Sequence, residues 1–341
     1  IITKYKLREK RGKGMKKRDF RRILAGAMAG VMMLGLTACG SSNESAAFPS
    51  DTVNIVCHAK EGGGSDALAR EVAQVMQDKL GWSVTVENKT GGSGSVGMQY
   101  VQNSKPDGYT IGTAPVELSM IQALGYAELN PDSVSLLGCG MSWSAALYVP
   151  KDAPYENMED FINYCKENPD VVKVANSGIG SIWHIAACAM ADKAGISLNH
   201  VPYDGATGAL TALLGSEVDA AVVGTCEGYS YVDSGDLKCL GVFGEDRSAT
   251  MPDVPTAKEQ GYDLNVVCWV GFLAPKDVDE ATLTTLQDSL KTVFETDEYK
   301  SFCETRGCDS TYYSAEEFKK MADSDFTYYS ELISSLGIVA Q

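Results

Sequence analysis

From Thr52 onward the chain predicts an α/β fold, and three observations carry that reading. Short β-rich runs alternate with stretches whose apolar residues recur at helical spacing. Three of the joints are glycine-rich turns that open a helix, at 62–66, 91–95 and 177–181. The composition is globular, 44% hydrophobic and 22% charged in 341 residues. It excludes collagen-like, coiled-coil and wholly disordered chains and suggests about two domains.

Taken in order, residues 53–57 read as the first strand. The turn at 62–64 follows, with Ser65 as a candidate N-cap and Asp66 in the first helical turn. Leu68, Val72, Val75, Met76 and Leu80 make the apolar stripe of a helix that Gly81 ends. A strand at 84–87, the second glycine turn with a helix to about 103, a Pro106-Asp107-Gly108 turn and a strand at 109–113 complete a βαβαβ order. That order implies a parallel sheet with helices on its faces. The middle repeats the scheme, with a strand-like run at 143–149, a helix at 158–168, a strand at 171–175, the third glycine turn and a helix at 182–194. A helix at 206–214 and strands at 218–223, 237–242 and 266–273 follow. The C-terminal part is helical, with Leu283, Leu286, Leu290, Val293 and Phe294 on one face and Phe318, Met321, Phe326, Tyr329, Leu332 and Ile333 on another. Trp143 and Trp269 fall at the expected crossovers between lobes and read as core or hinge.

The N-terminal part reads as an address. Residues 16–22 are KKRDFRR, and 23–38 are uncharged and apolar, a basic n-region followed by an h-region. Sixteen helical residues span about 24 Å, short of the roughly 30 Å hydrocarbon core. Leu36-Thr37-Ala38-Cys39 resembles a bacterial lipobox, so Cys39 is the expected lipidation site and 39–50 a lipidated tether. Residues 1–38 are therefore the expected signal peptide. Residues 1–14 are expected to lie upstream of a true start at Met15, because 9–14 consist only of residue types that purine-only codons encode. The expected location is the outer face of the cytoplasmic membrane, reached through the lipid only.

Removing 1–38 changes the electrostatics. The whole chain carries −16, but 1–38 hold eleven bases and two acids, which leaves 18 bases, 43 acids and a net −25. So acidic a body argues against nucleic-acid binding and against docking on anionic lipid. Nine cysteines remain beside Cys39, an odd number, and most sit in apolar runs as small buried hydrophobes. Cys303 and Cys308 are the pair best placed for a local disulfide. His58, His184 and His200 are widely spaced and no CxxC pair exists, so no metal site is expected.

The glycine turns carry the chemistry. A helix N-terminus leaves about four N–H groups unpaired and bears partial positive charge. Glycine lets a ligand approach that backbone, and such turns hold anions without a cationic side chain. None of the three contains Lys or Arg. The candidate ligand-binding residues are Gly63, Gly64, Ser65 and Asp66 in the first turn and Gly92, Ser93, Gly94 and Ser95 in the second. Ser177, Gly180 and Ser181 in the third join them, with His184 and Tyr203 beside it. Asp66 reads equally well as a dipole-stabilising acid, His184 as a packing or capping residue and Tyr203 as packing.

An ordered set of motifs then resembles one family. The set is Gly63-Gly64-Ser65-Asp66 with Arg70, Val86-Glu87-Asn88 with Gly91 to Gly97, Pro106-Asp107-Gly108-Tyr109-Thr110 and Gly178-Ile179-Gly180-Ser181-Ile182-Trp183-His184. Val201-Pro202-Tyr203 with Gly205, Arg247-Ser248, Pro252 to Thr256, Trp269 and Ala274-Pro275 continue it. From about 52 to 338 the chain is similar to the substrate-binding proteins of tripartite tricarboxylate transporters, the Bug family. The resemblance implies a two-lobed periplasmic-binding-protein fold of type II, each lobe a sheet flanked by helices, with lobe 1 at 51–147 and 266–341 and lobe 2 at 148–265. It implies a monomer that needs no cofactor, closes on a small carboxylate and hands it to the large and small integral membrane subunits of the transporter. The first two loops would hold the proximal carboxylate and the third turn the rest of the ligand. Asp204 stands where the family often has Lys or Arg, and Glu61 precedes the first glycines.

Two enzyme classes compete. Gly92 to Gly97 fits GxGxxG, and Glu117 lies where a ribose-binding acid would be, which suggests an exported nucleotide-dependent enzyme. The turn belongs to the second βα unit, which counts against it. An exported hydrolase lacks a Gly-x-Ser-x-Gly elbow.

Overall fold

The computed structural model describes residues 48–338. The export segment, Cys39 and most of the tether lie outside the described residues. Residues from Phe48 onward form a single compact unit, and no described helix is long and apolar enough to cross a membrane.

Nine strands form one sheet in the order β2-β1-β3-β9-β4-β7-β5-β6, with β8 also paired to β4. β1 (Val53–Cys57) lies parallel to β2 (Val84–Asn88) and β3 (Thr110–Pro115). β5 (Lys173–Asn176) lies parallel to β6 (Asn199–Pro202) and β7 (Ala220–Gly224). These two groups are the βα units that the alternating pattern predicts, and their strands are mostly buried because helices cover them.

The sheet as a whole is mixed, which the βαβ rule alone does not anticipate. β4 (Ser135–Pro150) runs antiparallel to β9 (Val267–Ala274) along its first half, and to β7 and β8 (Leu237–Val242) along its second. The expected strand at 143–149 is only the second half of β4. The first half, SLLGCGMS, is shielded on both faces and lacks the alternation that marks a half-exposed strand. At the junction Ala145 N–H donates to Val266 O at 2.9 Å, and Phe243 N–H donates to Ala145 O at 2.7 Å.

Helices α1 (Gly64–Leu80), α2 (Ser95–Gln102) and α3 (Ile121–Leu124) belong to the β1–β3 side. α4 (Met158–Glu167), α5 (Ile182–Ala194), α6 (Ala206–Leu214) and α7 (Thr225–Asp233) belong to the β5–β7 side. α7 was not legible, since TCEGYSYVD has no clear apolar stripe and buries only Thr225 and Gly228. The chain ends in α8 (Glu280–Phe294), α9 (Asp297–Thr305) and α10 (Ala315–Leu336). α10 begins at a capping box between Ser314 and Glu317 and stops at Gly337 in the left-handed conformation.

Glycine on β4 and β9 lets the terminal helices come close. A Cβ on Gly271 would lie 2.5 Å from both Gly138 O and the Phe318 ring of α10. Trp269, fully enclosed beside it, stacks edge-on to Phe318 and donates its indole N–H to Asp325 at 2.7 Å. Trp269 is thus core. Cys303 and Cys308 are both free; the turn joining them is closed by backbone, Cys308 N–H to Cys303 O at 3.0 Å, and Cys303 is buried in the core.

Gly271→Ala is expected to destabilise the fold by about 1–3 kcal/mol, the usual cost of overpacking. Urea unfolding should show a lower midpoint at unchanged slope, and an unchanged midpoint would contradict this packing.

Candidate functional site

The three glycine turns all lie at carboxyl ends of parallel strands, where α/β sheets bind ligands. α1 starts at Gly64 with Gly63 as N-cap, so Ser65 is inside the first turn and not the cap the sequence suggested. No side chain caps this helix. Asp66 is 3% exposed and fully engaged. It accepts from Gly62 N–H at 2.9 Å, Asn88 Nδ2 at 2.8 Å and Arg70 Nε at 3.0 Å. Burial opposes its charge, but the bonds from Arg70, Asn88 and Gly62 outweigh burial and hold its carboxyl below the usual range. Asp66 therefore shapes the turn and has no acceptor left for a ligand amine.

The second turn passes through Gly91, Gly92, Ser93 and Gly94, all at positive φ, before α2. Ser93 at φ 50° is a non-glycine residue in the left-handed region, a conformation that costs energy and gathers at binding sites. Ser95 is buried, and its hydroxyl leaves no room for a side chain on Gly92. α2, like α1, has no side-chain cap. His58 supports this turn from below: its Nδ1 lies 2.7 Å from Thr113 Oγ1, and burial pushes its pKa down to about 4, so the ring is neutral.

The third turn is different, because its helix is already capped. Ser181 is the N-cap of α5 and accepts from His184 N–H at 3.3 Å. The next N–H, Ile182, donates to Glu117 Oε1 at 3.2 Å. Glu117 comes from the short helical turn 116–119 on the β3 side. Gly180 N–H donates to His184 Nδ1 at 3.2 Å, and Gly178 N–H donates to Asn176 Oδ1 at 3.0 Å. Ser177 O accepts from Gly205 N–H. His184 and Ser181 thus hold the turn in shape. Tyr203 joins it through its backbone, while its ring packs on Gly208 and its hydroxyl meets Glu217.

Tyr126 brings turns two and three together. Its ring lies beside Gly92 and Gly180, and its hydroxyl donates to Ile179 O at 3.2 Å. The first turn meets Trp143, whose ring packs over Gly64 and stands 6.4 Å from Trp183 in the first turn of α5. Trp143 also abuts Gly224, the residue whose N–H donates to Glu227 Oε2 at 2.8 Å. The structure therefore collects all three turns around Trp143, Trp183, Glu117 and Glu227. Lys60, in the loop between β1 and the first glycine turn, forms an ion pair with Asp204 beside Tyr203.

Sequence reasoning missed this inner group. Trp143 was read as core or hinge, Glu117 only as a ribose-binding acid, and Glu227 not at all. The available signal was an acid in the first turn of an unrecognised helix. Burial raises the pKa of Glu117, and burial together with the charge of Glu117 pushes Glu227 up to about 7, against the Gly224 bond. Trp143 Nε1 is buried with no partner among the described residues.

Asp66→Asn should cost about 1–3 kcal/mol, since it leaves Arg70 without its charge partner. The sign follows from the lowered folded-state pKa. The contribution is complete above the unfolded value near 4 and fades as pH falls through the lower folded value. Unfolding midpoints measured from pH 7 to pH 2 should converge between wild type and variant as pH falls, since the other lowered carboxylates act in both.

Comparison with known proteins fits this geometry. The model of the tripartite tricarboxylate transporter family receptor matches residues 68–338. A protein of Cupriavidus necator is 30% identical over 317 residues, 92% of this chain and 96% of its own. The structure of the periplasmic binding protein BugD is 28% identical with a TM-score of 0.78, covering 86% of this chain and all of that one. The fold is also that of MatC from Rhodopseudomonas palustris with bound malate, at 22% identity and a TM-score of 0.75 over 84% of this chain and 100% of that one. The architecture is the α/β periplasmic-binding-protein fold with a mixed sheet, and the chain belongs to the tripartite tricarboxylate transporter receptor family.

Proposed function

We propose that this receptor captures a small carboxylate in a cleft between lobe 1 (51–147 and 266–341) and lobe 2 (148–265), and delivers it to the membrane subunits of a tripartite tricarboxylate-type transporter. It does so as a monomer, held at the outer face of the cytoplasmic membrane by lipid on Cys39, and with no catalytic step. The observation that carries the ligand assignment is the contrast in capping. α1 and α2 begin without a side-chain cap, whereas α5 is capped by Ser181 and by the carboxylate of Glu117. The ligand carboxylate therefore goes to the first two turns, held by the backbone N–H groups of Gly64, Ser65, Asp66, Gly92 and Ser93 and the hydroxyls of Ser65, Ser93 and Ser95, while the N–H groups of Gly63, Gly94 and Ser95 close the turns on Lys60 O, Gly91 O and Gly92 O. Ser177, Gly180, Ser181 and His184 keep the opposite wall in shape, with Tyr203 behind it. MatC holds malate, a small carboxylate but one with two carboxyl groups, so the ligand expected here shares only its proximal carboxylate with that one.

The opposite wall also narrows the ligand. Glu227 of lobe 2 and Glu117, which reaches across from lobe 1 to Ile182, set acid against it, and among the described residues neither forms an ion pair. A second ligand carboxylate would meet repulsion there, whereas an amine, amide or hydroxyl would find acceptors. The favoured ligand thus has one carboxylate and a donor at its far end.

A thermal-shift panel of amino acids, hydroxy acids, dicarboxylates and aromatic acids tests this. A ligand at a hundred times its Kd should stabilise by about 2.7 kcal/mol. Gly92→Val should abolish the shift in a folded protein. No shift with any carboxylate, or normal calorimetric binding by Gly92→Val, would sink the assignment.

Glu227 supplies a pH signature. Its folded-state pKa near 7 exceeds the unfolded value near 4.3. Its protonation therefore favours the folded state at low pH, and that contribution is lost as pH rises from about 4.3 to 7. Carboxylate affinity should fall, on the order of tenfold, between pH 6 and pH 8 as Glu227 ionises. Isothermal titration across that range should show the fall in the wild type and a flat profile in Glu227→Gln.

A further inference from the structure

We propose that His184, Cys188 and His200 form a binding site for one zinc-class divalent cation. The sequence spacing of the histidines argued against any metal site, but the fold overrides spacing. His184 and Cys188 are four apart on α5 and so share a face. His200 is presented by β6. Cys188 Sγ lies 3.6 Å from His184 Nε2 and 3.8 Å from His200 Nε2. All three ligand atoms fall within 4.8 Å of one another.

Those separations suit a metal. With Zn–N near 2.0–2.1 Å and Zn–S near 2.3 Å, tetrahedral coordination puts nitrogen and sulfur about 3.6 Å apart. The two imidazoles stand nearly perpendicular, at 87° with centroids 5.2 Å apart, so both can aim a nitrogen at one point. A thiolate with two imidazoles selects zinc or copper over magnesium or calcium. Unsatisfied polar groups border the site: Asn176 Nδ2 and His200 Nδ1, the ring nitrogen opposite the ligating Nε2, are buried with no partner among the described residues. A cavity of about 270 Å³ adjoins, bordered by Asn176, His184, His200 and Pro202. It has room for the solvent molecule that fills the fourth position of a three-ligand site.

One cost is visible. Gly180 N–H donates to His184 Nδ1, so ligation through Nε2 needs the other tautomer and the loss of that bond. Metal capture is thereby tied to the glycine turn at 178–181.

The test is a cobalt(II) titration of the reduced, chelator-treated protein. Thiolate-to-cobalt charge-transfer absorption is expected to saturate at one equivalent, and zinc should displace it. Cys188→Ser and His200→Gln, checked for folding by circular dichroism, should lose the band, while Cys308→Ser should keep it. No thiolate band in the folded wild type, or a band that survives in Cys188→Ser, overturns the proposal. Native mass spectrometry with zinc gives a second reading: one bound ion in the wild type and none in Cys188→Ser are expected, and equal uptake by both overturns it.

Discussion

The hydrogen bonding of β4 is the constraint on which the rest of the structure depends. One sixteen-residue strand serves three partners, β9 along its first half and β7 and β8 along its second. Both parallel groups are thereby hung on a common strand, and their glycine turns are brought to the same place. Trp143 stands on β4 two residues before the junction at Ala145. It touches Gly64 on one side and Gly224 on the other.

The electrostatics follow from a shortage of free cations. An acidic protein gains little from long-range steering of an anion, so any attraction has to be local. Helix N-termini supply that without a charged side chain, because oriented N–H groups and the helix dipole act over one turn. The molecule contains its own example. The Glu117 carboxylate sits on the N-terminal N–H of Ile182 at 3.2 Å, so the third glycine turn does take a carboxylate, one that belongs to the chain. Arg70 and Lys60, the cations near the first turn, are held by Asp66 and Asp204.

Much of this was legible residue by residue. The strands at 53–57 and 237–242 and the helices at 182–194 and 206–214 were read with the bounds the structure shows, because their flanking glycines and apolar spacing agree. The three turns were found for the same reason. The first half of β4 was not, since a strand covered on both faces carries no alternation. The mixed direction of the sheet was not, because it is set by long-range pairing of β4 with β9, as between Cys139 and Gly271, and not by local pattern. Within the site, backbone-donor turns are local motifs and could be read. Glu117, Trp183 and Glu227 meet only through tertiary contacts. The same holds for His200, which reaches Cys188 from a separate strand.

The inner wall argues for a particular division of labour in a ligand. Glu227 is held near neutrality because burial and the charge of Glu117 both oppose its ionisation. Burial raises the Glu117 carboxyl as well, so the pair resists carrying two negative charges. The unpartnered indole N–H of Trp143 adds a donor beside them. Such a wall is complementary to a group that donates to the acids and accepts from the indole, as a hydroxyl or amide does. A bare second carboxylate could accept from Trp143 but would have nothing to give Glu117. On the other side the uncapped α1 and the turn before α2 offer the N–H groups of 64–66 and of Gly92 and Ser93, which on the proposed assignment suit a carboxylate. On the proposed assignment, the two walls ask for opposite ends of one small molecule, and both are tied to β4.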